Sequence, residues 1–404
     1  MRGTVFEKII KRHADSNIQV IPDEVISISI DHILIPDNSI MPIFDLLEHS
    51  HMHIKHQNVY VALTNYHYQY EPNYGAKQRK IIDAVRKHGF NILENYQGVW
   101  NINFLQNDKV RAGDTFLARD STVNFFAPLN NLNISSGIHD VFQAIITGKY
   151  DYMIPEIIRV NLVGKLDKKV SGKNLALFIK RELSSLTQHR PYLLEFAGDI
   201  LSELTANDLF TLSLHHYTMN RAAFIFPALP QFKNDELGIK PDVDAEYSRI
   251  FTFDVTNLPE FIDNNGCIME ANDNKGKPLD KVYIGNSVGG MLDDFEFLAS
   301  VLKNRKVKIP TFIMPSSSAI LYQAVKRGYL EAILESGCIL AAPSTGLFSA
   351  INDLIPLACD KILATGYNDL SAQVRDSIAE FYNASISVAV ASAVNGFVST
   401  MDDI

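Results

Sequence analysis

Histidine side chains, which bind metals and move protons near neutral pH, are concentrated in one part of the sequence. Residues 49–56 read HSHMHIKH, and an adjacent pair follows much later; together these are His49, His51, His53, His56, His215 and His216. Imidazoles at such short spacing can bind Zn²⁺ or Ni²⁺. The sequence places no carboxylate to complete the ligand set. We therefore favour a solvated loop after a helix for residues 49–56, with a mononuclear metal site as the alternative.

The three cysteines, Cys267, Cys338 and Cys359, are the only candidates for thiolate ligands or disulfides. Their spacing is wide and irregular, and the sequence contains no CxxC or Cys/His zinc pattern. An odd number of cysteines also gives no disulfide framework. We expect all three to be reduced structural thiols.

A strand, a glycine-rich turn and a helix are predicted over residues 281–303, but the turn carries no strong nucleophile, base or metal ligand. Its residues, 286–290, read NSVGG. Further strands at 310–314 and 338–342 alternate with helices, which predicts a parallel sheet. Ligands bind such sheets at the loops beyond the carboxyl ends of the strands. No histidine or carboxylate lies in those loops, which are residues 286–290, 315–318 and 343–346.

The composition excludes some classes of function. The chain has 404 residues, of which 47% are hydrophobic and 21% charged, as in ordinary globular proteins of two or three domains. The net charge of −9 disfavours nucleic-acid binding, since no basic stripe is present to neutralise phosphates. No apolar run reaches the roughly 18 residues of a membrane span, and the first residues show no signal sequence. We expect a cytoplasmic protein.

Alternating helices and strands are also predicted in the first half of the chain. The helices are 4–13, 76–88, 135–147 and 173–188, and the strands are 25–35, 58–64, 114–118 and 157–166. Two polar stretches, 231–248 and 263–280, are predicted to be loops, and the second is the better domain boundary. The expected fold is α/β, with domains at 1–155, 156–275 and 276–404.

Six segments occur in a recognisable order along nearly the whole chain. They are GTVFEKII from residue 3, SISIDHILI from 27, VRAGDTFLARDST from 110, YLLEFAGDILSELTANDLFTLS from 192, KVYIGNSVGGMLDDFEFLASVLKNRKV from 281 and FIMPSSSAILYQAVKRGYLEAILESGC from 312. Together they resemble the aconitase superfamily, specifically the large subunit of 3-isopropylmalate dehydratase. The resemblance implies three α/β/α layered domains around a central cleft. It also implies that a fourth, swivelling domain is absent from this chain and belongs to a small partner subunit.

The resemblance further implies that an iron–sulfur cluster has been lost. In the family, the turn at 286–290 and a later Pro-Gly-Cys-x-x-Cys turn provide three cysteine ligands of a [4Fe-4S] cluster. Here those positions hold Ser287, Ser344 and Leu347. Such clusters are held by thiolates. No cofactor is therefore expected.

Other family positions are partly kept. The Asp-His pair after strand 58–64 is replaced by Thr64-Asn65, the Asp-Ser-His-Thr motif lacks its histidine, and the Asn-Arg-Asn-Phe segment has become residues 367–370 without arginine. Arginine normally provides bidentate carboxylate recognition in such sites. The positions that keep the family residue are Asp31, Asp120, Ser121, Glu195 and Ser317.

The resemblance places the strand ends near residues 64 and 120 on one cavity, which gives candidate site residues. The candidate catalytic residues are His67 as general acid or base, Asp120 to orient it, and Ser121. Polar residues of the same loops are candidates for binding a substrate carboxylate or a developing oxyanion: Asn65, Asn124, Ser287, Ser317, Ser344, Thr345 and Asn368. Alternatively, His67 only packs among its tyrosine neighbours, and Asp120 only stabilises a turn.

The predicted function is a cluster-free lyase or isomerase that acts on a small carboxylate-bearing substrate in specialised metabolism. Acid–base chemistry would replace the Lewis-acid dehydration of the family. The alternative is a catalytically inactive binding or regulatory protein, or an inactive partner subunit. Expected partners are the small-molecule carboxylate and a small swivelling-domain subunit, with no nucleic acid and no membrane.

Overall fold

The computed structural model describes residues 3–15, 18–50, 52–63, 74–93, 98–106, 109–167, 170–184, 192–215, 223–232, 238–286, 288–343, 359–366, 378 and 380–404. Strands in these segments form four sheets, with two, four, five and seven strands. Within the same segments, no helix is long and apolar enough to cross a membrane.

The strands alternate with helices along most of the chain. The strands are β1 (Val25–Ser29), β2 (His32–Pro36), β3 (Val59–Ala62), β4 (Asn91–Leu93), β5 (Thr115–Ala118), β6 (Leu132–Ser135), β7 (Lys149–Met153), β8 (Glu156–Val163), β9 (Tyr192–Ala197), β10 (Ala223–Ile225), β11 (Arg249–Asp254), β12 (Phe261–Asn264), β13 (Cys267–Glu270), β14 (Lys281–Gly285), β15 (Thr311–Met314), β16 (Ile339–Leu340), β17 (Lys361–Ala364) and β18 (Glu380–Ala384). The helices are α1 (Val5–His13), α2 (Asp37–Ser50), α3 (Tyr74–His88), α4 (Trp100–Gln106), α5 (Ile138–Thr147), α6 (Gly172–Glu182), α7 (Ile200–Glu203), α8 (Ala206–Leu214), α9 (Leu292–Leu302), α10 (Ser318–Lys326), α11 (Tyr329–Glu335) and α12 (Ile386–Asn395).

Three sheets are parallel in their centres, as the alternating pattern predicts. The first has the order β4-β3-β2-β5-β6 and the second has the order β10-β9-β8-β11; both are entirely parallel. The third has the order β13-β12-β18-β17-β14-β15-β16, with an antiparallel hairpin at one side. β1 and β7 form a separate antiparallel ribbon. The expected α/β architecture is therefore confirmed.

Several predicted elements differ in detail from the structure. The predicted strand 25–35 is two strands, because the strand is interrupted before Asp31. In the third sheet's region, Gly328, whose φ is 77°, separates α10 from α11. The stretch 263–280, expected to be a linker, contains β13, which joins β12 in the third sheet. The domain limits remain a prediction, but strands on both sides of residue 275 belong to one sheet.

Helix α1 connects the first and second sheets. Its buried face is Val5, Phe6, Ile9 and Ile10. Glu195, on β9, is 1% exposed and accepts from the amide of Phe6 at 3.3 Å and the hydroxyl of Tyr247 at 2.7 Å. Burial raises the pKa of Glu195, and these hydrogen bonds offset only part of that effect. This residue therefore has a visible structural task, since it anchors the first turn of a helix.

Asp31 lies at the amino end of β2, at the edge of the sheet opposite to the loops that bind ligands in such folds. It accepts from Nε2 of His13 at 2.8 Å and from the amide of Thr115 at 2.8 Å. The other ring nitrogen of His13 donates to the carbonyl of Ile9 at 2.8 Å, so both nitrogens face acceptors and the imidazolium is favoured.

The contact between His13 and Asp31 shifts their pKa values in opposite directions. Burial alone would lower the pKa of His13, but the hydrogen bonds to Asp31 and Ile9 raise it above 6.5. Burial alone would raise the pKa of Asp31, but the bonds from His13 and Thr115 lower it below 3.8. The stabilisation from His13 is therefore complete below pH 6.5 and is lost as the pH rises through the raised value.

We expect His13→Gln to destabilise the protein by about 1 kcal/mol at pH 5.5 and by less as the pH is raised towards about 9, because wild-type His13 loses its charge as the pH passes through its raised pKa. Urea unfolding across this pH range measures the difference. Asp15→Asn is the control, since the pair Lys149–Asp15, at 3.3 Å, is exposed. A loss that does not change with pH would contradict a charged His13.

Candidate functional site

The turn that follows β14 is held by the turn that follows β15. The hydroxyl of Ser316 donates to the carbonyl of Asn286, and the amide of Ser316 donates to the carbonyl of Gly290 at 2.9 Å. Asn286 is buried and has a φ of 76°. A Cβ on Gly290 would lie 2.5 Å from the carbonyl oxygens of Asn286 and Met314. The backbone of this turn therefore joins two strand ends. This structural role gives a physical reason why the turn contains no strong nucleophile, base or metal ligand.

Thr365, directly after β17, connects a third strand end to the same turn. Its hydroxyl accepts from the amide of Gly285 at 3.0 Å and donates to the carbonyl of Val288 at 3.1 Å. Thr365 is 1% exposed. The carboxyl ends of β14, β15 and β17 consequently form one hydrogen-bonded unit.

Asn383, near the end of β18, extends this unit to the second sheet. Its amide nitrogen donates to the carbonyls of Ala364 at 3.0 Å and Gly366 at 2.7 Å. Its amide oxygen accepts from Nζ of Lys173, on α6, and this amine also lies 2.6 Å from Nε2 of His215. Lys173 and His215 are each 2% exposed. A buried basic pair therefore contacts the third sheet at its carboxyl edge.

The first sheet reaches the same edge through the segment that contains α4. Gly98 pairs with Ser317, and the amide of Val99 donates to the carbonyl of Ser316 at 2.9 Å. The side-chain amide of Gln106 donates to the hydroxyl of Ser317 at 3.4 Å. A Cβ on Gly98 would lie 2.4 Å from the carbonyl oxygen of Ser316. The contact thus requires glycine at this position.

The predicted site residues of the first sheet follow β5 at its carboxyl end. Asp120 is the N-cap of the 3₁₀ segment Ser121–Leu129, and its carboxylate accepts from the amide of Thr122 at 2.8 Å. Asn124 is 2% exposed and accepts from the amide of Phe224 at 3.4 Å, which ties the segment to β10. Asp120 and Asn124 thus make structural hydrogen bonds, and their catalytic or binding roles stay a prediction.

Ser317 is the fourth predicted site residue within the described part of the chain. It is fully buried and caps α10, since its hydroxyl accepts from the amide of Ile320 at 3.1 Å. The other candidates lie outside the described residues: Asn65, His67, Ser287, Ser344, Thr345 and Asn368. Their proposed roles are untested by the structure.

The histidine-rich segment begins in a helix rather than after one. His49 belongs to the last turn of α2, and its Nδ1 donates to the carbonyl of Asp45 at 2.7 Å. His53 is exposed, whereas His56 is 9% exposed and burial lowers its pKa. Among the described residues, no group of three potential ligands is arranged to hold a metal ion. His51 and His216 lie outside those residues, so the mononuclear metal site remains an untested alternative.

The cysteines do not fit the three-thiolate set of the cluster that the family resemblance implies. Cys338 and Cys359 precede β16 and β17, at the amino ends of these strands, whereas the family ligand turns follow carboxyl ends. Cys267 starts β13, in the lateral hairpin of the sheet. Burial also raises the pKa of Cys338, so its thiol stays protonated. The chain therefore lacks the donors at the place where a cluster would need them.

Sequence reasoning missed the joining role of five residues at this edge, although it considered one of them, His215, as a metal ligand: Lys173, His215, Ser316, Thr365 and Asn383. The helix of Lys173 and the loop of Ser316 were predicted, whereas β17, β18 and α8 were not. The partners are also distant in sequence, since Lys173 is 42 residues from His215 and 210 from Asn383.

Comparison with known proteins agrees with this architecture. The model of the aconitase family (aconitate hydratase) matches residues 7–214, which is more than half of the chain. The chain is 26% identical to the 3-isopropylmalate dehydratase large subunit of Campylobacter concisus, over the full length of both proteins. It is 29% identical to a probable methanogen homoaconitase large subunit of Methanosarcina mazei, over 67% of this chain and 72% of the relative. Crystalline aconitase X of Thermococcus kodakaraensis has a similar fold, with a TM-score of 0.51, 13% identity and coverage of 90% of this chain and 88% of that one.

These findings define a protein with the aconitase-like α/β fold. The chain belongs to the aconitase family, and its curated relatives include large subunits of 3-isopropylmalate dehydratase. The resemblance seen in the sequence is thereby confirmed.

We expect Gly98→Ala to destabilise the protein by about 3 kcal/mol or more, because its φ of 128° and the 2.4 Å approach to Ser316 leave no room for a methyl group. Gly75→Ala is the control. It lies at the start of α3 with open space around it, so alanine should be neutral or stabilise by up to about 1 kcal/mol. Urea unfolding compares the two variants, and equal effects would mean that the contact between the sheets is dispensable.

Proposed function

We propose that this protein is a cluster-free lyase or isomerase that acts on a small carboxylate-bearing substrate by acid–base chemistry. One observation carries the proposal: the aconitase-like scaffold keeps its strand ends joined at the carboxyl edge of the third sheet, while all three thiols lie elsewhere. This combination of a retained scaffold and displaced thiols supports chemistry without a cluster.

The proposed chemistry is loss or addition of water next to a carboxylate. A base removes a proton from carbon, the carbon–oxygen bond of the hydroxyl group breaks, and an acid donates a proton so that water leaves. Without a Lewis acid, charge on the carboxylate must be stabilised by hydrogen-bond donors. The residues proposed to move protons are His67, Asp120 and Ser121, and the donors proposed to hold the substrate are the polar loop residues identified in the sequence.

The proposed substrates are 2- or 3-hydroxy acids, because relatives of this chain are named dehydratases of 3-isopropylmalate and homoaconitases. Since those relatives are called large subunits, we also propose a small swivelling-domain subunit as a partner, and a cytoplasmic location. Purification from the native source would test the partner, since a smaller polypeptide should copurify in equal amount. A chain that elutes alone would argue against it.

A second candidate function is that of a catalytically inactive binding or regulatory protein, or an inactive partner subunit. The observation that favours it is the internal use of polar groups at the same edge. The hydroxyls of Ser316, Ser317 and Thr365 all bond to atoms of the protein itself. The variants of Asp120 described below distinguish this candidate from an enzyme.

We expect protein purified without oxygen to contain no stoichiometric iron or acid-labile sulfide, because Fe–S clusters need thiolate ligands. Metal analysis and sulfide assay provide the measurement. A variant with Ser287→Cys, Ser344→Cys and Leu347→Cys is the positive control, since it restores the ligand pattern and should gain iron on reconstitution. Iron and sulfide in the unmodified protein at the level of a complete cluster would overturn the cluster-free mechanism.

We expect Asp120→Asn to reduce turnover by about 100-fold or more while leaving stability nearly unchanged. Asparagine is as good an N-cap as aspartate, so it keeps the bond from Thr122, but it cannot ionise. The assay follows water loss and deuterium incorporation by NMR with 3-isopropylmalate and other hydroxy acids, at several pH values.

Two further variants complete this experiment. Asp120→Ala should lose turnover and also about 1 kcal/mol of stability, because the cap is removed. His67→Ala should lose turnover with little change in stability. If wild type converts a substrate and Asp120→Asn is equally active, Asp120 is structural only. Absence of turnover with every acid would favour the inactive candidate.

A further inference from the structure

Lys173 occupies an unusual position for a lysine, at the junction of the second and third sheets. It lies in the first turn of α6, and its side chain is among the largest fully buried ones of the described residues. Lysine is almost never fully buried unless its charge is paired. Its two hydrogen-bond partners are the imidazole of His215 and the side-chain amide of Asn383, and neither is a carboxylate that could neutralise an ammonium. The surroundings of Lys173 therefore favour one protonation state of its amine.

The hydrogen bonds of the two partners identify which atoms face the amine. Nδ1 of His215 lies 2.8 Å from the carbonyl of Thr211, to which it must donate, so Nε2 presents a lone pair to Lys173 at 2.6 Å. The amide nitrogen of Asn383 is used by two carbonyls, so the amide oxygen points to the same amine. Lys173 thus faces two acceptors.

A neutral amine matches these two acceptors, because it has two N–H donors. An ammonium has a third N–H, and within the described segments no third acceptor contacts Lys173. Burying an unsatisfied charged donor is costly.

The charged groups around Lys173 give little support to an ammonium. Burial lowers the pKa of Lys173 to about 7, Asp263 acts to raise it, and Lys180 acts to lower it. Asp263, on β12, is itself paired with Lys180 at 2.8 Å, which offsets its attraction for a second cation.

We propose that Lys173 is held as a neutral amine which, together with His215, positions Asn383 and through it the backbone that leaves β17. Asn383 donates to the carbonyls of Ala364 and Gly366, and the candidate Asn368 follows Gly366 by two residues in the sequence. Lys173 is therefore a positioning residue for the backbone at residues 364–366, which leads to that candidate. This second part rests on the proposed function, whereas the protonation state and the hold on the backbone do not.

The neutral state has a measurable linkage to pH. In the unfolded chain a lysine binds its proton up to about pH 10.4, whereas the folded site releases it near pH 7. The unfolded state therefore binds more protons between these values, and stability rises with pH across this window. Asp294, whose pKa burial raises to about 7, changes stability only below that pH, so the two groups are separable.

The first experiment measures urea unfolding of the full chain at pH 7.5 and 9.5. Between these values, the folding equilibrium constant of wild type should rise about 100-fold relative to that of Lys173→Met, which has no titrating amine. Lys281→Met is the matched control. It removes a lysine that is paired with Asp360 at 2.6 Å, and it should follow the wild-type slope. Parallel slopes for wild type and Lys173→Met would show an ordinary ammonium and overturn the proposal.

The second experiment tests the positioning role through backbone hydrogen exchange. In Lys173→Met, amides of residues 361–366 and 380–384 should exchange at least about tenfold faster, while those of the first sheet are unchanged. The amide of Thr365, which donates to the carbonyl of Tyr283 at 3.0 Å, is the most direct reporter. Unchanged exchange in both segments would overturn the positioning role.

Kinetic measurements on wild type and Lys173→Met distinguish a failure of this inference from a failure of the proposed function. If wild type converts 3-isopropylmalate, Lys173→Met should raise KM at least about tenfold with a smaller change in kcat, because the hold of Asn383 on residues 364–366 is weakened while the groups proposed to move protons remain. Unchanged KM together with faster exchange would limit Lys173 to a structural role. If wild type converts no hydroxy acid, the proposed function fails, but the unfolding and exchange results still decide the protonation state and the hold on the backbone.

Discussion

The close approach of backbone atoms at the carboxyl edge of the third sheet is the constraint on which the rest of the site depends. A Cβ on Gly285 would lie 2.0 Å from the carbonyl oxygen of Met314, and one on Gly290 would meet two carbonyl oxygens at 2.5 Å. Because both positions are glycine, the turns after β14 and β15 can touch. Ser316 then bonds directly to the neighbouring turn, and the other strand ends assemble on this pair.

The same close approach determines how the polar side chains at this edge are used. Ser316, Thr365 and Asn383 donate hydrogen bonds to backbone carbonyls, so protein atoms join these strand ends directly. None of these bonds uses a thiol, so the joining of the strand ends does not depend on a cysteine in the turn after β14.

The sequence predicted those parts of the fold that depend on local patterns. Strand 281–285 was predicted with its observed limits, because apolar β-branched residues are followed by a glycine turn. The break at Asp31 was missed because it depends on bonds to His13 and Thr115, which are distant in sequence. β13 was missed because polar residues surround it, although pairing with β12 satisfies its backbone.

The candidate site was less accessible to sequence reasoning than the fold. Family motifs identified Asp120 and Ser317, but not that both act as helix caps. The buried trio of Lys173, His215 and Asn383 depends on the packing of two sheets against each other, and no local pattern encodes such packing. A single sequence therefore does not predict the roles of residues that are buried by contacts distant in the chain.

The order of the strands along the chain has a consequence for how the molecule is assembled. Every strand of the ribbon and of the first two sheets precedes residue 255, and every strand of the third sheet follows residue 260. The early part also closes on itself, since Gly3 and Asp242 exchange hydrogen bonds at 2.6 and 3.0 Å. A ribosome therefore synthesises every described strand of the first two sheets before any described strand of the third, and domains generally fold as units in this order. The carboxyl edge of the third sheet, with Gly285 and Gly290, is then the last of these surfaces to form, and it packs against sheets made earlier.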